Sequence, residues 1–331
     1  MNTSDATDRF CALTGVEVPL VCGAMYPCSN PELVGAVSAA GAMAIVQPLS
    51  LVYVHGREFR EGLREISRLA DGKPIGFNAI IEKSVKAYEK RMRSWVDIAL
   101  EEGVRFFVTA LGNPTWVCEK VHAVGGTVFH DVTERKWAQK AVDAGVDGLI
   151  CVNARAGGHA GTLSPEQLID ECGDFGLPLV AAGGVGDADG YVRLLEMGYG
   201  AVQMGTRFIA TKECEVHPDY WAAILDANED DIVLTERLSG VPVAVINTPL
   251  MQKIGTKAGP IARRLLRGRR TKHWMRTFYA LRSIRNLKQT IKKGVTYKDV
   301  WQAGKSVGGI DEVLPAGEIV RTFAEAWAAA R

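Results

Sequence analysis

The sequence has few of the features that mark a metal centre, a disulfide framework or a membrane protein. Its seven cysteines are scattered along 331 residues, with no C-x-x-C pair and no Cys/His spacing of a metal site. An odd, scattered set of this kind is typical of reduced thiols in a cytosol. We therefore expect no disulfide and no bound metal, and we expect a cytoplasmic location.

Long apolar stretches are missing as well. The segment from Met1 to Phe10 is polar and lacks the hydrophobic core of a signal peptide. No apolar run approaches the roughly 18 residues that a membrane-spanning helix needs. With 47% apolar residues and a formal charge of +1, the composition fits a globular chain with a sizeable core. We expect no membrane span.

Acidic residues are absent from one long part of the chain. No Asp or Glu lies in residues 237–298, where 16 Lys and Arg side chains fall. Within it, the basic stretch 260–293 has apolar residues at helical spacing, which predicts a helix that packs on the rest of the chain with a solvated cationic face. The alternative is an anionic partner such as an acyl carrier, coenzyme A or a lipid surface. Nucleic acid is not expected.

Short apolar runs alternate with longer amphipathic segments between Pro19 and about Ala210, and this alternation indicates the fold. The strand-like runs are Pro19–Cys22, Met43–Val46, Pro74–Asn78, Phe106–Thr109, Thr127–His130, Gly148–Cys151, Leu179–Ala182 and Ala201–Met204. The helix-like segments lie near 30–40, 58–70, 86–102, 114–123, 133–144, 164–173 and 188–197. Buried strands that are each followed by a helix indicate parallel strands covered on both faces.

Eight such runs match a (β/α)8 TIM barrel in number and spacing. A doubly wound α/β sheet is the alternative, but its glycine-rich turn usually follows the first strand, whereas here glycine-rich turns follow strands six to eight. We predict a barrel over residues 1–215 and a basic, helical substrate or lid lobe over 216–310. Residues 311–331 are predicted to form a terminal helix that packs on the barrel.

Two glycine-rich turns are candidates for a phosphate site. In a barrel, the loops after strands seven and eight commonly hold phosphate, and here they are Ala182–Gly186 and Met204–Thr206. Bare backbone N–H groups at a helix start suit an anion. The alternative is that these glycines only make tight turns. Gly183–Gly186 is not a dinucleotide fingerprint, because it does not open a first βαβ unit.

The loop after strand six, Asn153–Gly161, places one imidazole among small residues. Glycine lets the backbone approach a ligand closely. The ordinary pKa of histidine suits proton transfer near neutral pH, so His159 is the candidate catalytic residue. The alternative is a structural histidine.

Five motifs together carry a family resemblance. They are Gly23-Ala24-Met25, Gly76-Phe77-Asn78, Ala156–Gly161, Ala181–Val185 and Gln203–Thr206. This combination resembles the nitronate monooxygenase (2-nitropropane dioxygenase) family of FMN-dependent TIM barrels, which also contains NADH:quinone reductases and FMN-dependent enoyl-ACP reductases. The similarity runs from about residue 8 to 217 and returns weakly at Trp301–Lys305. It is specific for the superfamily and much less specific for the reaction.

The resemblance implies FMN as the cofactor and His159 as the catalytic base. It also implies a set of flavin-binding residues, most of which would contact the phosphate through backbone N–H groups. That set is Gly23, Ala24, Met25, Asn78, Gly157, Gly183, Gly184, Gln203, Met204, Gly205 and Thr206.

Three positions depart from the family pattern. Arg155 stands where the family often has an acidic residue, Asp131 follows His130 where several relatives have Lys, and Lys305 replaces a usual Gln. Because backbone contacts dominate FMN binding, we expect the cofactor site to survive these changes. We predict His130, Asp131, Arg155 and Lys305 as substrate contacts.

The first functional hypothesis is an FMN-dependent nitronate monooxygenase. In it, His159 holds or deprotonates an alkyl nitronate, and O2 completes conversion to a carbonyl compound and nitrite. The alternative is an NAD(P)H-dependent FMN reductase of quinones or enoyl thioesters, whose basic lobe meets nicotinamide phosphates or an acyl carrier. A third hypothesis is a flavin- or phosphate-binding barrel whose basic lobe binds a partner and which catalyses no reaction. A homodimer is compatible with each.

Overall fold

Eight parallel strands close into a barrel in this computed structural model, which describes residues 3–82, 85–236, 241–257 and 300–331. The strands are β1 Leu20–Cys22, β2 Met43–Val46, β3 Ile75–Ile81, β4 Phe106–Leu111, β5 Thr127–Val132, β6 Gly148–Val152, β7 Leu179–Ala182 and β8 Ala201–Met204. Each strand pairs with the next along the chain, and β8 closes the ring against β1. The predicted (β/α)8 barrel is confirmed.

Helices cover the outside of the barrel, with bounds close to those predicted. The helices up to β8 are α1 Thr3–Thr14, α2 Pro31–Ala39, α3 Phe59–Leu69, α4 Lys86–Glu101, α5 Thr115–His122, α6 Arg135–Asp143, α7 Pro165–Cys172 and α8 Ala188–Glu196. Those after β8 are α9 Thr206–Ile209, α10 Pro218–Asp226, α11 Pro249–Ile254 and α12 Ala316–Ala330. None of the helices in the described ranges is long and apolar enough to cross a membrane.

The barrel interior is a packed apolar core. Gly76 faces it, because a Cβ atom added there would lie 2.4 Å from Cδ1 of Ile45. Helix α1 was not predicted, and its Phe10 is fully buried in the same core, edge-on to Phe129 with ring centroids 5.9 Å apart. The interior therefore holds no open channel, and a ligand site belongs at the carboxyl ends of the strands.

Four strands run further than predicted, β4 by two residues to Leu111 and β6 by one residue to Val152, together with β3 and β5. Strand β3 continues to Ile81 rather than ending at Asn78, and β5 continues to Val132 rather than ending at His130. Both Asn78 and Asp131 are paired within the sheet. A polar side chain that points into the barrel mouth leaves the backbone pairing intact, so polarity did not mark the ends of these strands.

The segment beyond the barrel contains a small sheet in addition to helices. Strands β9 Ile232–Thr235 and β10 Val243–Ile246 pair antiparallel, and no strand was predicted here. Helix α10 was predicted near residues 219–228 and is confirmed. The predicted basic helix over 260–293 lies outside the described residues.

The small sheet joins the barrel mouth to the C-terminal segment. The backbone N–H of Ala244 donates to the carbonyl of Gly158 at 2.7 Å, in the loop after β6. The N–H of Ile246 donates to the carbonyl of Trp301 at 2.8 Å. Strand β10 therefore contacts both the predicted catalytic loop and the residues that precede α12.

The last helix, α12, packs on barrel helices α2 and α8. Its apolar residues Ile319, Phe323 and Trp327 are buried, and the Phe323 ring lies 5.2 Å from that of Tyr191 on α8. This terminal helix was predicted from the same apolar positions, beginning one residue earlier.

Candidate active site

The glycine turns after β7 and β8 lie together at the carboxyl end of the barrel. Gly183 and Gly184 have φ values of +117° and +83°, a left-handed region that glycine adopts without strain. A Cβ atom added at Gly183 would lie 2.6 Å from the backbone nitrogen of Ala156, so this turn packs on the loop after β6. Gly205 follows β8 directly and α9 begins at Thr206. The arrangement fits the predicted phosphate site.

The turn after β1 faces the turn after β8. The Sδ atom of Met25 lies 3.4 Å from the position that a Cβ atom of Gly205 would take. The Met25 N–H donates to Oγ of Ser29 at 2.9 Å, which fixes the turn. A Cβ atom added at Gly23 would lie 3.0 Å from Cδ of Gln203. The structure therefore brings together the first and the last of the predicted flavin-binding motifs.

Met204 and Ala24 occupy different environments within these motifs. The Met204 carbonyl accepts a hydrogen bond from the Gly23 N–H at 3.0 Å, while its side chain is buried in the outer core between barrel and helices. Ala24 packs against the interior cluster of the barrel. Met204 can therefore meet a ligand through its backbone only.

Polar side chains line the inner wall of the barrel mouth. Successive side chains of a strand point to opposite faces. Because Gly76 and Phe129 face the interior, Asn78 and Asp131, each two residues further on, face it too. Gln203 reaches the same space from β8 beside Gly23. These groups lie above the apolar core, where they can hydrogen-bond a polar ring.

Asp131 is the titratable member of this wall. Its Oδ1 atom is enclosed and has no hydrogen-bond partner in the part of the chain that the structure describes. Burial raises the pKa of the carboxyl to about 7. The residue as a whole keeps some accessible surface, so the side chain borders the open mouth.

His159 lies in a loop that is held from two sides. Gly158, with φ of +68°, accepts from Ala244 of β10, and the Gly161 N–H donates to the carbonyl of Asn153 at 3.2 Å. The residue is exposed, yet protein atoms around the ring withdraw enough water to lower the pKa of the imidazole from 6.5. At pH 7 the neutral form dominates, and this form accepts a proton.

Asn153 connects the loops after β6 and β7, a role that the sequence did not reveal. Its side chain is buried, and Nδ2 donates to the Gly183 carbonyl at 3.0 Å while Oδ1 accepts from the Arg155 N–H at 2.8 Å. A polar residue directly after a buried strand was the available signal. Asn153 thus fixes the loop of His159 to the glycine turn.

Arg155 forms an ion pair with Glu229, which lies in a short 3-10 turn after α10. The Arg155 side chain also covers Gly184, since a Cβ atom added there would lie 2.5 Å from Nε. The guanidinium therefore lies beside the glycine turn and is already paired with a carboxylate. Glu229 was not predicted, because it lies 74 residues away in sequence.

The segment that contains Gly304 and Lys305 packs on the loop that contains Arg155 and Gly157. The Lys305 N–H donates to the Arg155 carbonyl at 2.9 Å, and the Gly304 N–H donates to Oγ1 of Thr206 at 3.1 Å. A Cβ atom added at Gly157 would lie 2.8 Å from the Gly304 nitrogen. The weak similarity at residues 301–305 thus marks a segment that packs on the loops after β6 and β8.

His130 lies outside the site, contrary to its prediction as a substrate contact. Because Phe129 and Asp131 face the barrel interior, His130 faces the helices. Its Nδ1 atom lies 2.8 Å from Oγ1 of Thr109, its partner on β4. Burial lowers the pKa of His130 to about 4, so the imidazole is neutral and structural.

Fold and site together define a barrel with two adjoining glycine turns, a polar inner wall and the imidazole of His159 at its mouth. The family model described as nitronate monooxygenase matches residues 8–325, so the chain belongs to the nitronate monooxygenase family. Members of this family are flavin-dependent oxidoreductases. The resemblance seen in the sequence is confirmed.

Similar proteins differ in the substrates that their names give. The chain is 26% identical to "(3aS,4S,5R,7aS)-5-hydroxy-7a-methyl-1-oxo-octahydro-1H-indene-4-carboxyl-CoA dehydrogenase" of Mycobacterium tuberculosis, over 94% of this chain and 93% of that protein. It is 28% identical to a nitronate monooxygenase of Pseudomonas aeruginosa, over 71% of this chain and 78% of that protein. The structure of FabK from Thermotoga maritima is similar, with a TM-score of 0.76, 27% identity and coverage of 97% and 96%.

Proposed function

We propose that this protein is an FMN-dependent oxidoreductase in which His159 exchanges a proton with the substrate. The residues present fit FMN. The glycine turns at 183–184 and 205–206 offer backbone to the phosphate, while Asn78 and Gln203 supply hydrogen-bonding groups for the ring and Met25 supplies an apolar contact. When bound, the flavin accepts or returns two electrons.

The observation that carries the proposal is the placement of His159. Its loop is fixed to the barrel mouth through Asn153 and Ala244, and its lowered pKa favours a neutral imidazole near pH 7. A neutral imidazole nitrogen can take the proton from the carbon next to an electron-withdrawing carbonyl or nitro group. In the reverse direction the same nitrogen returns that proton.

We propose an acyl thioester, such as an acyl-CoA, as the substrate class. Two CoA dehydrogenases match 93–94% of this chain, whereas the similar nitronate monooxygenases match 69–77%. The 16 basic residues within 237–298, with no carboxylate among them, suit the phosphates of coenzyme A or an anionic acyl carrier.

Oxidation of an alkyl nitronate is the second candidate, favoured by a family model that spans residues 8–325. His159 would hold or deprotonate the nitro compound, and O2 would complete the conversion to a carbonyl compound and nitrite. NAD(P)H as an electron donor, a homodimer and a cytoplasmic location stay predictions.

One experiment separates the two substrates. The purified protein is reconstituted with FMN and mixed anaerobically with saturated acyl-CoAs of short to long chain, or with NADPH followed by the matching 2-enoyl-CoAs. We expect bleaching of the flavin by an acyl-CoA or its reoxidation by an enoyl-CoA. Nitrite release from propyl nitronate in air, with no response to any thioester, would favour the second candidate. A colourless protein that takes up no FMN would overturn both.

The role of His159 is tested by His159→Asn, which keeps a polar side chain and removes the base. We expect turnover to fall by about 10² or more, the usual contribution of a general base, while FMN binding is retained. His217→Asn is the matched control, because His217 caps α10 far along the chain and Asn preserves the cap. Equal turnover of the two variants would exclude His159 as the base.

A further inference from the structure

Asp131 has an enclosed carboxyl oxygen that no described part of the fold hydrogen-bonds. Strand β5 places it on the inner wall of the barrel mouth, two residues above Phe129, and it pairs with Ile150 of β6, which belongs to the interior core. Its Oδ1 atom has no hydrogen-bond partner among the described residues. Enclosing an unpartnered polar atom is unfavourable, and an apolar residue would fill this position better.

The side chains that flank Asp131 on the two neighbouring strands carry no charge. On β4 the inward side chains are Val108 and, two residues on, Ala110, and on β6 they are Ile150 and Val152. Burial accounts for the raised pKa of the carboxyl. Among the described residues, Asp131 therefore has no partner in an ion pair.

The end of β5 lies under the loop that carries His159. A Cβ atom added at Gly161 would lie 3.4 Å from Cβ of Thr133, which directly follows β5. Asp131 lies two residues before Thr133 along the chain. The loop above this wall carries His159 and Arg155, and the space between wall and loop is the mouth of the barrel.

We propose that Asp131 donates a hydrogen bond, as a neutral carboxyl group, to a carbonyl oxygen that occupies the barrel mouth. The inference rests on the proposed function, because that function brings two carbonyl-bearing molecules to the mouth. One source is a ring carbonyl of FMN, and the other is the carbonyl of the substrate. Either acceptor would satisfy the unpartnered carboxyl.

Two variants distinguish the sources. Asp131→Asn keeps a hydrogen-bond donor and does not titrate, whereas Asp131→Leu fills a similar volume without a donor. If the partner is the flavin carbonyl, the Kd for FMN rises about tenfold in Asp131→Leu and little in Asp131→Asn. If the partner is the substrate carbonyl, the Kd for FMN is unchanged, and kcat/KM falls about tenfold in Asp131→Leu and is recovered in Asp131→Asn.

The melting temperature of the FMN-free protein is the readout that does not depend on activity. We expect Asp131→Leu to raise it, because the substitution removes an enclosed polar group that lacks a partner. Asp143→Leu is the control, since Asp143 is an exposed carboxylate on α6 that accepts from Gln139. A lower melting temperature for Asp131→Leu than for the control would show that the carboxyl serves the fold and would overturn the proposal.

An unchanged Kd for FMN together with an unchanged kcat/KM in Asp131→Leu would also overturn it. A wild-type protein that takes up no FMN would overturn the proposed function and this inference together. If the wild type binds FMN and turns over substrate, and the variants have the same Kd for FMN and the same kcat/KM, only this inference is overturned.

Discussion

Leu111 holds an unusual backbone conformation for its residue type. It ends β4 with φ of +72°, and its side chain is 73% exposed at the carboxyl end of the barrel. A left-handed conformation costs an ordinary L-residue about 1–2 kcal/mol, and such strain tends to persist at functional sites. The exposed side chain gains little from burial that would offset it.

We expect Leu111→Asn to raise the free energy of unfolding by about 1 kcal/mol, because Asn tolerates the left-handed region. Urea denaturation measures the change. Leu234→Asn is the control, since Leu234 is 56% exposed on β9 and its φ is not positive. A gain in the control of equal size would mean that removing an exposed leucine, and not strain, is the cause.

Asn153 is expected to matter for both stability and cofactor binding. Asn153→Ala removes the hydrogen bonds to the Gly183 carbonyl and from the Arg155 N–H, and leaves partly buried backbone groups without these partners. We expect the free energy of unfolding to fall by about 1–3 kcal/mol and FMN to bind more weakly. Gln139→Ala, at an exposed position on α6, is the control and should change neither quantity. Wild-type FMN affinity in Asn153→Ala would show that Asn153 does not contribute to FMN binding.

The sequence could identify His130 and Asp131 as polar residues at one strand end, but not which of them faces the site. Strand β5 has apolar residues on both faces, because one side meets the barrel core and the other meets helices. Without an alternation of polar and apolar residues, the sequence does not show which residues of the strand point into the barrel. The interior position of Phe129 in the structure decides this. The glycine motifs did not have this ambiguity, since they act through backbone.

Strand β5 carries two groups whose protonation should shift stability in opposite directions. Asp131 has its pKa raised from 3.8 to about 7, so the unfolded chain releases this proton first and stability falls as pH rises from about 4 to 7. His130 has its pKa lowered from 6.5 to about 4, so the unfolded chain binds the proton first and stability rises over about pH 4 to 6.5.

In the wild type the two effects of pH on the free energy of unfolding partly cancel. We therefore expect each single variant to show the effect of the remaining group. In Asp131→Asn the free energy of unfolding should rise more steeply with pH between about 4 and 6.5 than in the wild type. In His130→Gln it should rise less, or fall. Urea titrations at each pH measure the slopes, each limited to about 1.4 kcal/mol per pH unit for one proton. Parallel curves for all three proteins would contradict the assignment.

The elements that the sequence predicted are those with a strong local pattern. Each barrel strand is an apolar run followed by an amphipathic helix, and all eight are present. Helix α1 was missed because its segment reads as polar, although Phe10 inserts into the barrel core. The pair β9 and β10 was missed because no amphipathic helix follows each strand to give a repeating pattern, and because the pair is stabilised by contacts with distant segments.

At the scale of the whole molecule, charge is distributed unevenly along the chain. Residues 237–298 are exclusively basic among their charged residues, so the rest of the chain carries net negative charge. A polyanionic substrate would be attracted to one part of the protein and repelled by the remainder. Such steering weakens as salt shortens the range of electrostatic forces.

For a CoA thioester we expect kcat/KM to fall by about tenfold or more between 20 mM and 500 mM NaCl, chiefly through KM. The matching N-acetylcysteamine thioester, which lacks the phosphates, is the control substrate and should respond little. Steady-state kinetics at constant pH measure both. An equal response of the two substrates would mean that the basic segment does not meet the phosphates of coenzyme A.

The loop of His159 depends in part on segments that are made after the barrel strands. Every barrel strand ends by Met204, whereas the contacts that hold this loop from outside the barrel come from Ala244 and Lys305. A ribosome releases the eight strands and their helices before either contact can form. During synthesis, the chain therefore passes through a stage in which all eight strands have been made and the predicted catalytic loop has no outer support. The loop gains that support only after the segments of Ala244 and Lys305 have been made.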